Sequence, residues 1–281
     1  MRLARRLVLL VAFAACAAGH AEVVYPPVLP GATLSWPRDA GSHPAYRVEW
    51  WYVTGWVQGD GPQRRGFQVT FFRVRTGLEE GNPSRFAPTQ VLFAHAALAD
   101  PALGHLRHAE RSARAGFGLA YAREQSVDVR LDDWSLRETA PGRYRAVVAG
   151  SGFAATLEMA STQSPMLQGE AGFSRKGPDA RAASYYYSLP QLAVSGSIMV
   201  DGQSQRVGGQ AWFDHEWSSD YVDAAAQGWD WVGINLDGGG ALMAFRMRDP
   251  RGATRWAAAT LRSADGRLQS FGPGEVDWQP L

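Results

Sequence analysis

The alternation of apolar and polar residues, interrupted at short intervals by turn residues, most constrains what this chain can fold into. Between residues 152 and 159, apolar side chains at every second position alternate with a set that includes Thr156 and Glu158. A period of two places the two sets on opposite faces of a β-strand. From residue 47 onward, almost no stretch has the 3.6-residue spacing of an amphipathic helix. The sequence therefore predicts a mainly β fold.

Tight turns separate the predicted strands. Asp201-Gly202, Asp237-Gly238 and Asp265-Gly266 each lie between apolar segments, and Gly59-Asp60-Gly61 follows the predicted strand Val48–Val57. Asp-Gly pairs supply the positive φ angles that two-residue hairpins need. Consecutive hairpins of this kind form antiparallel meanders, which close into lipocalin-like barrels whose interiors accept a small ligand.

A change of composition divides the strand-rich sequence into two parts. The segment 169–181 is rich in Gly, Arg and Pro, so we predict an N-terminal lipocalin-like domain over residues 28–180 and a C-terminal one over 181–281. The second part has about six predicted strands, fewer than the eight of a lipocalin-type barrel. We therefore expect the second barrel to be incomplete at its C-terminal end.

The first residues predict export. Arg2, Arg5 and Arg6 precede an apolar run over residues 7–15 that is too short to span a membrane. One interpretation is an ordinary signal peptide over residues 1–21. The other is a lipoprotein signal over residues 1–15, with Cys16 as the lipidated residue. Both predict a protein of the periplasm or one that is lipid-anchored to the cell envelope, with membrane contact only through that anchor.

The composition favours an apolar ligand over charged partners. The chain has 11 tryptophans, a net charge of +1 and no basic block, so a nucleic-acid partner is not predicted. Tryptophan can line an apolar cavity while its N–H bonds a polar group. No metal-binding histidine motif, no phosphate-binding glycine loop and no Gly-x-Ser-x-Gly motif occurs, so we predict no cofactor, no metal and no serine hydrolase.

The first cluster of chemically informative residues lies near the start of the first strand. Alternation places Trp50 and Tyr52 on one face and Glu49 and Trp51 on the other, so the carboxylate of Glu49 is expected to be buried. It either pairs with an arginine, such as Arg47 or Arg73, and holds the barrel together, or takes part in catalysis.

The second cluster is the segment Gln210–Trp217. Alternation places Trp212, Asp214 and Glu216 on one face and residues 213, 215 and 217 on the other. Two carboxyl groups in apolar surroundings have separated pKa values, so one can stay protonated and act as a general acid near neutral pH. The alternative is a strand end at which Asp214 and Glu216 cap a turn.

Further polar-tipped aromatic residues occur in the second half of the chain, including Trp229 and Trp231 in the predicted strand Gly228–Leu236 and the run Tyr185-Tyr186-Tyr187. We expect these aromatic and acidic side chains to converge on one apolar cavity. The catalytic candidates are Asp214, Glu216, Glu49 and His215. The ligand-binding candidates are Trp50, Trp51, Tyr52, Gln68, Tyr186, Trp212, Trp217, Trp229, Trp231 and Asn235.

Four ordered blocks, His43–Gly55, Gly66–Arg73, Trp212–Trp217 and Gly228–Trp231, resemble the carotenoid 1,2-hydratase (hydroxyneurosporene synthase) family and in particular its exported, AttH-like branch. The resemblance extends over roughly residues 28–250. It implies two packed lipocalin-like β domains with the blocks meeting near a cavity between them. It also implies Asp214 as the acid that protonates an isoprenoid double bond, with tryptophan rings stabilising the carbocation.

The sequence thus leaves three functions open. The first is an exported lipocalin-like protein that binds an apolar isoprenoid or lipid. The second is an acid-catalysed hydratase of an isoprenoid or carotenoid double bond. The third, compatible with the first, is an accessory lipoprotein of a lipid-exporting ABC-type membrane transporter.

Overall fold

Extended strands dominate the computed structural model, which describes residues 23–279. The predicted signal segment and Cys16 lie outside the described residues. Within these residues, two short 3₁₀ helices occur, at Arg38–Ala40 and Asp237–Gly239. None of the described helices is long and apolar enough to cross a bilayer. The strands are β1 Val48–Gln58, β2 Arg64–Arg75, β3 Gln90–Ala99, β4 Leu106–Arg114, β5 Ala120–Ala122, β6 Asp128–Leu131, β7 Trp134–Ala140, β8 Arg143–Gly150, β9 Phe153–Ala160, β10 Met166–Leu167, β11 Phe173–Arg175, β12 Ala183–Val200, β13 Gln203–Asp220, β14 Gly228–Asn235, β15 Ala241–Arg248, β16 Thr254–Arg262 and β17 Leu268–Phe271.

The larger of two sheets forms a nearly closed antiparallel barrel. Its strand order is β4-β3-β2-β1-β13-β12-β9-β8-β7-β6-β5, and β10 and β11 pair with β12. The far strand β4 lies against β6 and β8, which brings the two ends of the sheet together. Arginine side chains bridge this gap, because Arg111 contacts Asp132 at 2.8 Å and Arg107 contacts Asp201 at 2.6 Å. The mainly β, lipocalin-like fold predicted from the sequence is confirmed.

The hairpin β12–β13 joins the two flanks of the barrel. β12 pairs with β9, and β13 pairs with β1 over eleven residue pairs, from Val48↔Ser218 to Gln58↔Gly208. Both strands follow residue 180, where composition predicted a domain boundary, but they belong to the first sheet. The change of sheet falls between Asp220 and Gly228. The predicted division into folding units itself stays a prediction.

The second sheet packs against the outside of the barrel. It has four strands in the order β14-β15-β16-β17 within residues 228–271. One hydrophobic core fills the barrel interior. A smaller core between the two sheets includes Tyr186, Trp212 and Phe245. A single strand of the barrel can therefore serve two apolar environments, one on each face.

The turns predicted from Asp-Gly pairs are present. Gly202 joins β12 to β13 with φ of 80°, Gly238 lies between β14 and β15 with φ of 82°, and Gly266 lies between β16 and β17 with φ of 87°. Glycine adopts these angles without steric cost. The Asp-Gly pairs thus mark three of the hairpin connections.

Candidate functional site

A cavity of about 460 Å³ lies between the barrel wall and the second sheet. Its size is within the range of pockets that hold small organic ligands, roughly 300–1,000 Å³. Aromatic and apolar side chains dominate the lining, with a few polar groups among them. The lining residues are Val48, Trp50, Tyr52, Gln68, Thr70, Phe72, Phe93, Lys176, Tyr186, Asp214, Glu216, Tyr221, Trp229, Trp231, Phe245 and Met247.

The pleat of β1 and β13 brings acids and aromatic residues together on the outer face of the barrel. Trp50 is directly opposite Glu216, and Tyr52 is directly opposite Asp214, in the antiparallel pairing of these strands. Residues directly opposite each other project to the same face, with Cβ atoms about 5 Å apart. The strand alternation read from the sequence therefore places these four side chains on one wall of the cavity.

The second sheet supplies the opposite wall. Trp231 of β14 meets Tyr52 edge to face, with ring centroids 5.5 Å apart, and its Nε1 donates to the Tyr186 hydroxyl at 3.1 Å. Tyr221 meets Trp50 edge to face, with ring centroids 5.3 Å apart. Trp229 also lines the cavity, and its side chain is 55% exposed. The aromatic lining is thus continuous across both sheets.

Asp214 is a buried carboxyl group with neutral neighbours. Its Oδ1 accepts hydrogen bonds from Ser188 Oγ at 2.6 Å and from Trp212 Nε1 at 2.7 Å. Burial raises the pKa of Asp214 to about 7, although hydrogen bonds from Ser188, Trp212 and Tyr186 act in the opposite direction. Close to neutral pH, a substantial fraction of Asp214 is protonated and able to donate a proton into the cavity.

Glu216 lies two residues further along β13 and has a cationic partner. Lys176 Nζ is 2.8 Å from Glu216 Oε1, and Ser184 Oγ donates to the same oxygen. Lys176 also lies over the rings of Tyr186 and Phe245, 4.8 Å and 4.3 Å from their centroids. The two acids on this face thus differ in environment, since Glu216 has an ammonium partner and Asp214 has none.

Glu49 lies inside the barrel, on the other face of β1, and is fully buried. Arg73 Nε donates to its Oε2 at 2.8 Å, and Ser42 Oγ donates to the same oxygen at 2.9 Å. His43 Nδ1 and His215 Nε2 lie 2.7 Å and 2.9 Å from its Oε1. Burial opposes ionisation, but Arg73 and the two histidines hold the pKa of Glu49 well below its usual range.

The same interior network orients both histidines. His43 Nε2 is 3.1 Å from Asp39, and the His43 ring stacks on Trp217 at 3.8 Å. Burial favours neutral His43, but Asp39 and Glu49 outweigh it and raise its pKa. Burial is the dominant influence on His215 and lowers its pKa. The network ties the segment before β1 to the strand β13.

The ligand atoms of His43, Glu49 and His215 all lie within 4.8 Å of one another, a spacing that a metal ion could use. Arg73 already neutralises Glu49 from 2.8 Å, and a cation bound beside this guanidinium would be repelled. We therefore assign the three residues to a hydrogen-bonded structural network.

The expected convergence holds for part of the predicted set. The predicted site residues that line the cavity are Trp50, Tyr52, Gln68, Tyr186, Asp214, Glu216, Trp229 and Trp231. Glu49, His215, Trp51 and Trp217 are buried in the barrel interior on the opposite faces of β1 and β13. Because side chains alternate along a strand, Glu49 and His215 cannot share a chamber with Asp214, and the expectation of a single hollow is wrong for them.

Two further predicted residues support the cavity from behind. Trp212 donates to Asp214 and meets Trp231 edge to face at 6.2 Å. Asn235 Nδ2 donates to the carbonyl of Ala211 at 3.1 Å, and Asn235 Oδ1 accepts from the Gln191 amide at 2.8 Å. Trp212 therefore positions the acid, and Asn235 connects the second sheet to the barrel.

Sequence reasoning missed several lining residues, above all Lys176. It follows β11 in the segment 169–181, whose composition was interpreted as a domain boundary. β11 pairs with β12, and this pairing carries Lys176 to the cavity. One signal was available, since Lys176 is the only lysine in a sequence whose other basic residues are arginines.

Comparison with known protein families identifies the family of this chain. A model described as AttH-like matches residues 27–281. The chain belongs to the AttH-like family. A comparison of this AttH-like protein with curated proteins finds no significant match.

Solved structures similar to the AttH-like protein share its fold. A crystal structure from Nitrosomonas europaea assigned as an AttH protein is 50% identical, with a TM-score of 0.85, over 91% of this chain and 77% of that chain. Kievitone hydratase from Nectria haematococca is 13% identical, with a TM-score of 0.62, over 89% of this chain and 71% of that chain. CghA is 14% identical, with a TM-score of 0.50, over 88% and 67%. At such low identity, the last two show similarity of fold alone.

Proposed function

We propose that this AttH-like protein binds an apolar, isoprenoid-like or lipid ligand in the cavity between its two sheets. The observation that carries the proposal is the continuous aromatic lining of a cavity of about 460 Å³, with rings contributed by both sheets. Burying apolar ligand surface in such a cavity contributes about 25 cal/mol per Å². A ligand of this class gains most of its affinity from that burial.

A cavity-filling substitution tests the proposal. Val48 lines the cavity at the start of β1, so Val48→Trp should occupy the space and weaken the binding of farnesol or farnesene at least tenfold. Val24→Trp is the matched control, because Val24 is 84% exposed and does not line the cavity. Tryptophan fluorescence titration or calorimetry measures both. Absence of binding by the wild type, or equal binding by wild type and Val48→Trp, would contradict the proposal.

A second candidate function, acid-catalysed hydration of the bound alkene, is favoured by one specific observation. Asp214 lines the aromatic cavity, and its pKa is raised to about 7. A general acid is most effective when its pKa is close to the working pH. The resemblance of four sequence blocks of this chain to the carotenoid 1,2-hydratase family agrees with this candidate.

The proposed reaction needs no group besides the chain, the alkene and water. Asp214 Oδ1 already accepts two hydrogen bonds, so the proton is expected on Oδ2. The alkene π bond takes this proton to form a C–H bond, and the adjacent carbon becomes a carbocation. The faces of Trp50 and Trp231 stabilise that charge. A water oxygen then bonds to the cation, and the water proton returns to the Asp214 carboxylate.

Asp214→Asn tests the catalytic candidate separately from binding. The amide fills the same space but cannot donate a proton of comparable acidity, so turnover should fall by at least 10²-fold while ligand affinity changes little. Incorporation of ¹⁸O from labelled water into acyclic isoprenoid alkenes measures turnover. If the wild type binds these alkenes but incorporates no label, the catalytic candidate is wrong and the binding proposal stands.

A further inference from the structure

Lys176 is the only lysine in the chain, and it lies in the cavity rather than on the surface. It is only 6% exposed, whereas lysine side chains are almost always largely exposed unless they are paired. Its ammonium contacts Glu216, Ser174 Oγ at 3.1 Å, and two aromatic rings. The cavity therefore has a polar end made by a buried ion pair.

This ion pair keeps unused hydrogen-bonding capacity. An ammonium group has three N–H donors, and residues 23–279 offer Lys176 two acceptors, Glu216 and Ser174. Both contacts of Glu216, from Lys176 and Ser184, fall on Oε1, and Oε2 accepts no hydrogen bond from the described residues. One Lys176 N–H and Glu216 Oε2 thus have no hydrogen-bond partner among the described residues, and both side chains line the cavity.

We propose that Lys176 and Glu216 together bind a hydroxyl group of the ligand, so that the ligand class is an unsaturated alcohol or phenol rather than a pure hydrocarbon. A hydroxyl oxygen accepts from the Lys176 ammonium while its O–H donates to Glu216 Oε2. A carboxylate suits the pair less well, because it would be repelled by Glu216. The inference rests on the proposed binding function.

The position of the pair also sets where the rest of the ligand lies. Glu216 and Asp214 are two residues apart on β13 and face the same way, which separates them by roughly 7 Å along the strand. Tyr186 is directly opposite Glu216 in the pairing of β12 with β13, with Lys176 over its ring and Trp231 donating to its hydroxyl. A ligand held by its hydroxyl at Glu216 therefore extends its apolar, unsaturated part past Asp214.

A probe series in one carbon skeleton tests the inference. Farnesol, its methyl ether and farnesene present a donor and acceptor, an acceptor only, and neither. The ratio of farnesol affinity to farnesene affinity should be at least tenfold higher in the wild type than in the Lys176→Met/Glu216→Gln double variant. The corresponding ratio for the methyl ether should change by an intermediate amount. Comparing the variants probe by probe cancels differences in the water solubility of the probes. The matched control is Arg145→Met/Glu158→Gln, which removes an exposed ion pair on β8 and β9.

The outcomes separate this inference from the function on which it rests. Loss of farnesol affinity with unchanged farnesene affinity supports it. Equal losses for all three probes, or no change for any, overturn it and leave the binding proposal intact. If the folded wild type binds none of the probes, both proposals fall.

The single lysine gives a second measurement that needs no variant. Selective ¹³Cε-lysine labelling yields one side-chain NMR signal, which must belong to Lys176. Saturating farnesol should shift this signal markedly, and saturating farnesene should shift it much less. Equal shifts with both probes would contradict a direct bond to the hydroxyl.

Discussion

Two carboxyl groups on one strand show how strongly the surroundings of a residue decide its chemistry. Asp214 and Glu216 project from the same face of β13, but only Glu216 has a cationic partner, Lys176 at 2.8 Å. Asp214 is surrounded by neutral donors, and its pKa is raised to about 7. The sequence shows both acids equally and cannot distinguish them, because the lysine that does so is about 40 residues away and its approach depends on tertiary structure.

The raised pKa of Asp214 predicts a pH-dependent stability. A carboxyl group whose pKa rises on folding binds more protons in the folded state, so its contribution to stability is lost as pH rises from about 4 to about 7. The free energy of unfolding of wild type relative to Asp214→Asn should therefore fall between pH 4 and pH 8, by up to about 4 kcal/mol. Urea unfolding measures this difference. Asp60→Asn, at an exposed turn, is the control, and a constant difference for Asp214→Asn would contradict the assignment.

The network around Glu49 predicts that the stability of the fold is sensitive to the loss of a charge partner. Arg73→Met leaves the buried Glu49 carboxylate without its guanidinium, which should cost about 3–5 kcal/mol of unfolding free energy. The Arg73→Met/Glu49→Gln double variant should recover part of that loss, since it removes the uncompensated charge. Arg145→Met, in an exposed pair, should cost less than about 1 kcal/mol. Similar losses for both arginines in denaturant unfolding would refute the assignment of Glu49 to a structural network.

At the scale of elements, the contact between β1 and β13 depends on two glycines. An added Cβ at Gly55 would lie 2.3 Å from the carbonyl oxygen of Gln210, and one at Gly209 would lie 2.0 Å from that of Trp56. Both are backbone atoms of the partner strand and cannot move aside. These two strands hold Trp50, Tyr52, Asp214 and Glu216, so their close approach sets the geometry of one cavity wall.

Gly209→Ala should therefore destabilise the fold by about 1–3 kcal/mol or more, because overpacking forces the paired backbones apart. It should also weaken ligand binding, since the shift displaces the wall that carries Asp214. Gly61→Ala is the control, because nothing lies within 4 Å of an added Cβ at that turn. Thermal unfolding and probe titration measure both effects, and a Gly209→Ala protein that matches Gly61→Ala would contradict this view of the strand contact.

Strands and turns were predictable where the sequence pattern that marks them lies within the element itself. Alternation sorted Trp50 from Trp51 and Asp214 from His215 correctly, because the period of two belongs to the strand itself. Asp-Gly pairs located three hairpins for the same reason. The pairing of β13 with β1 was not predictable, since it depends on which distant strand buries the same face. The missed Lys176 follows from that limit, because its place in the cavity depends on the pairing of β11 with β12.

At the scale of the whole molecule, the cavity exists only while the second sheet stays docked on the barrel. Asn235 and Gln191 make that connection, with Asn235 bonded to Ala211 and Gln191, and Gln191 Nε2 donating to the carbonyl oxygens of Leu236 and Gly240 at 2.9 Å and 2.7 Å. The bonds of Asn235 with Gln191 and Ala211 join strands of the two sheets, and the other two join Gln191 to the β14–β15 connection. Binding and docking are therefore expected to depend on each other.

Asn235→Ala should loosen the second sheet selectively. Removing the side chain deletes its hydrogen bonds with the backbone amide of Gln191 and the carbonyl of Ala211, at a cost of about 1–3 kcal/mol. Hydrogen exchange should speed up in β14 and β15 more than in β8 and β9, and probe affinity should fall. Asn82→Ala, in an exposed loop, should change neither. Uniformly faster exchange across both sheets would argue against a separate docking contact.

The antiparallel pairing of β1 with β13 affects the order in which the chain folds. It brings together distant residues such as Glu49 and His215, which are separated by 166 positions. Contacts between such distant residues carry a large entropic cost of loop closure before they are rewarded, so they slow folding. The hairpins can form early, but the barrel is complete only when residues near position 220 reach the first strand. Until then, the edge of β1 that later bonds β13 has no partner strand, and the nascent protein is most exposed to association with other chains at that edge.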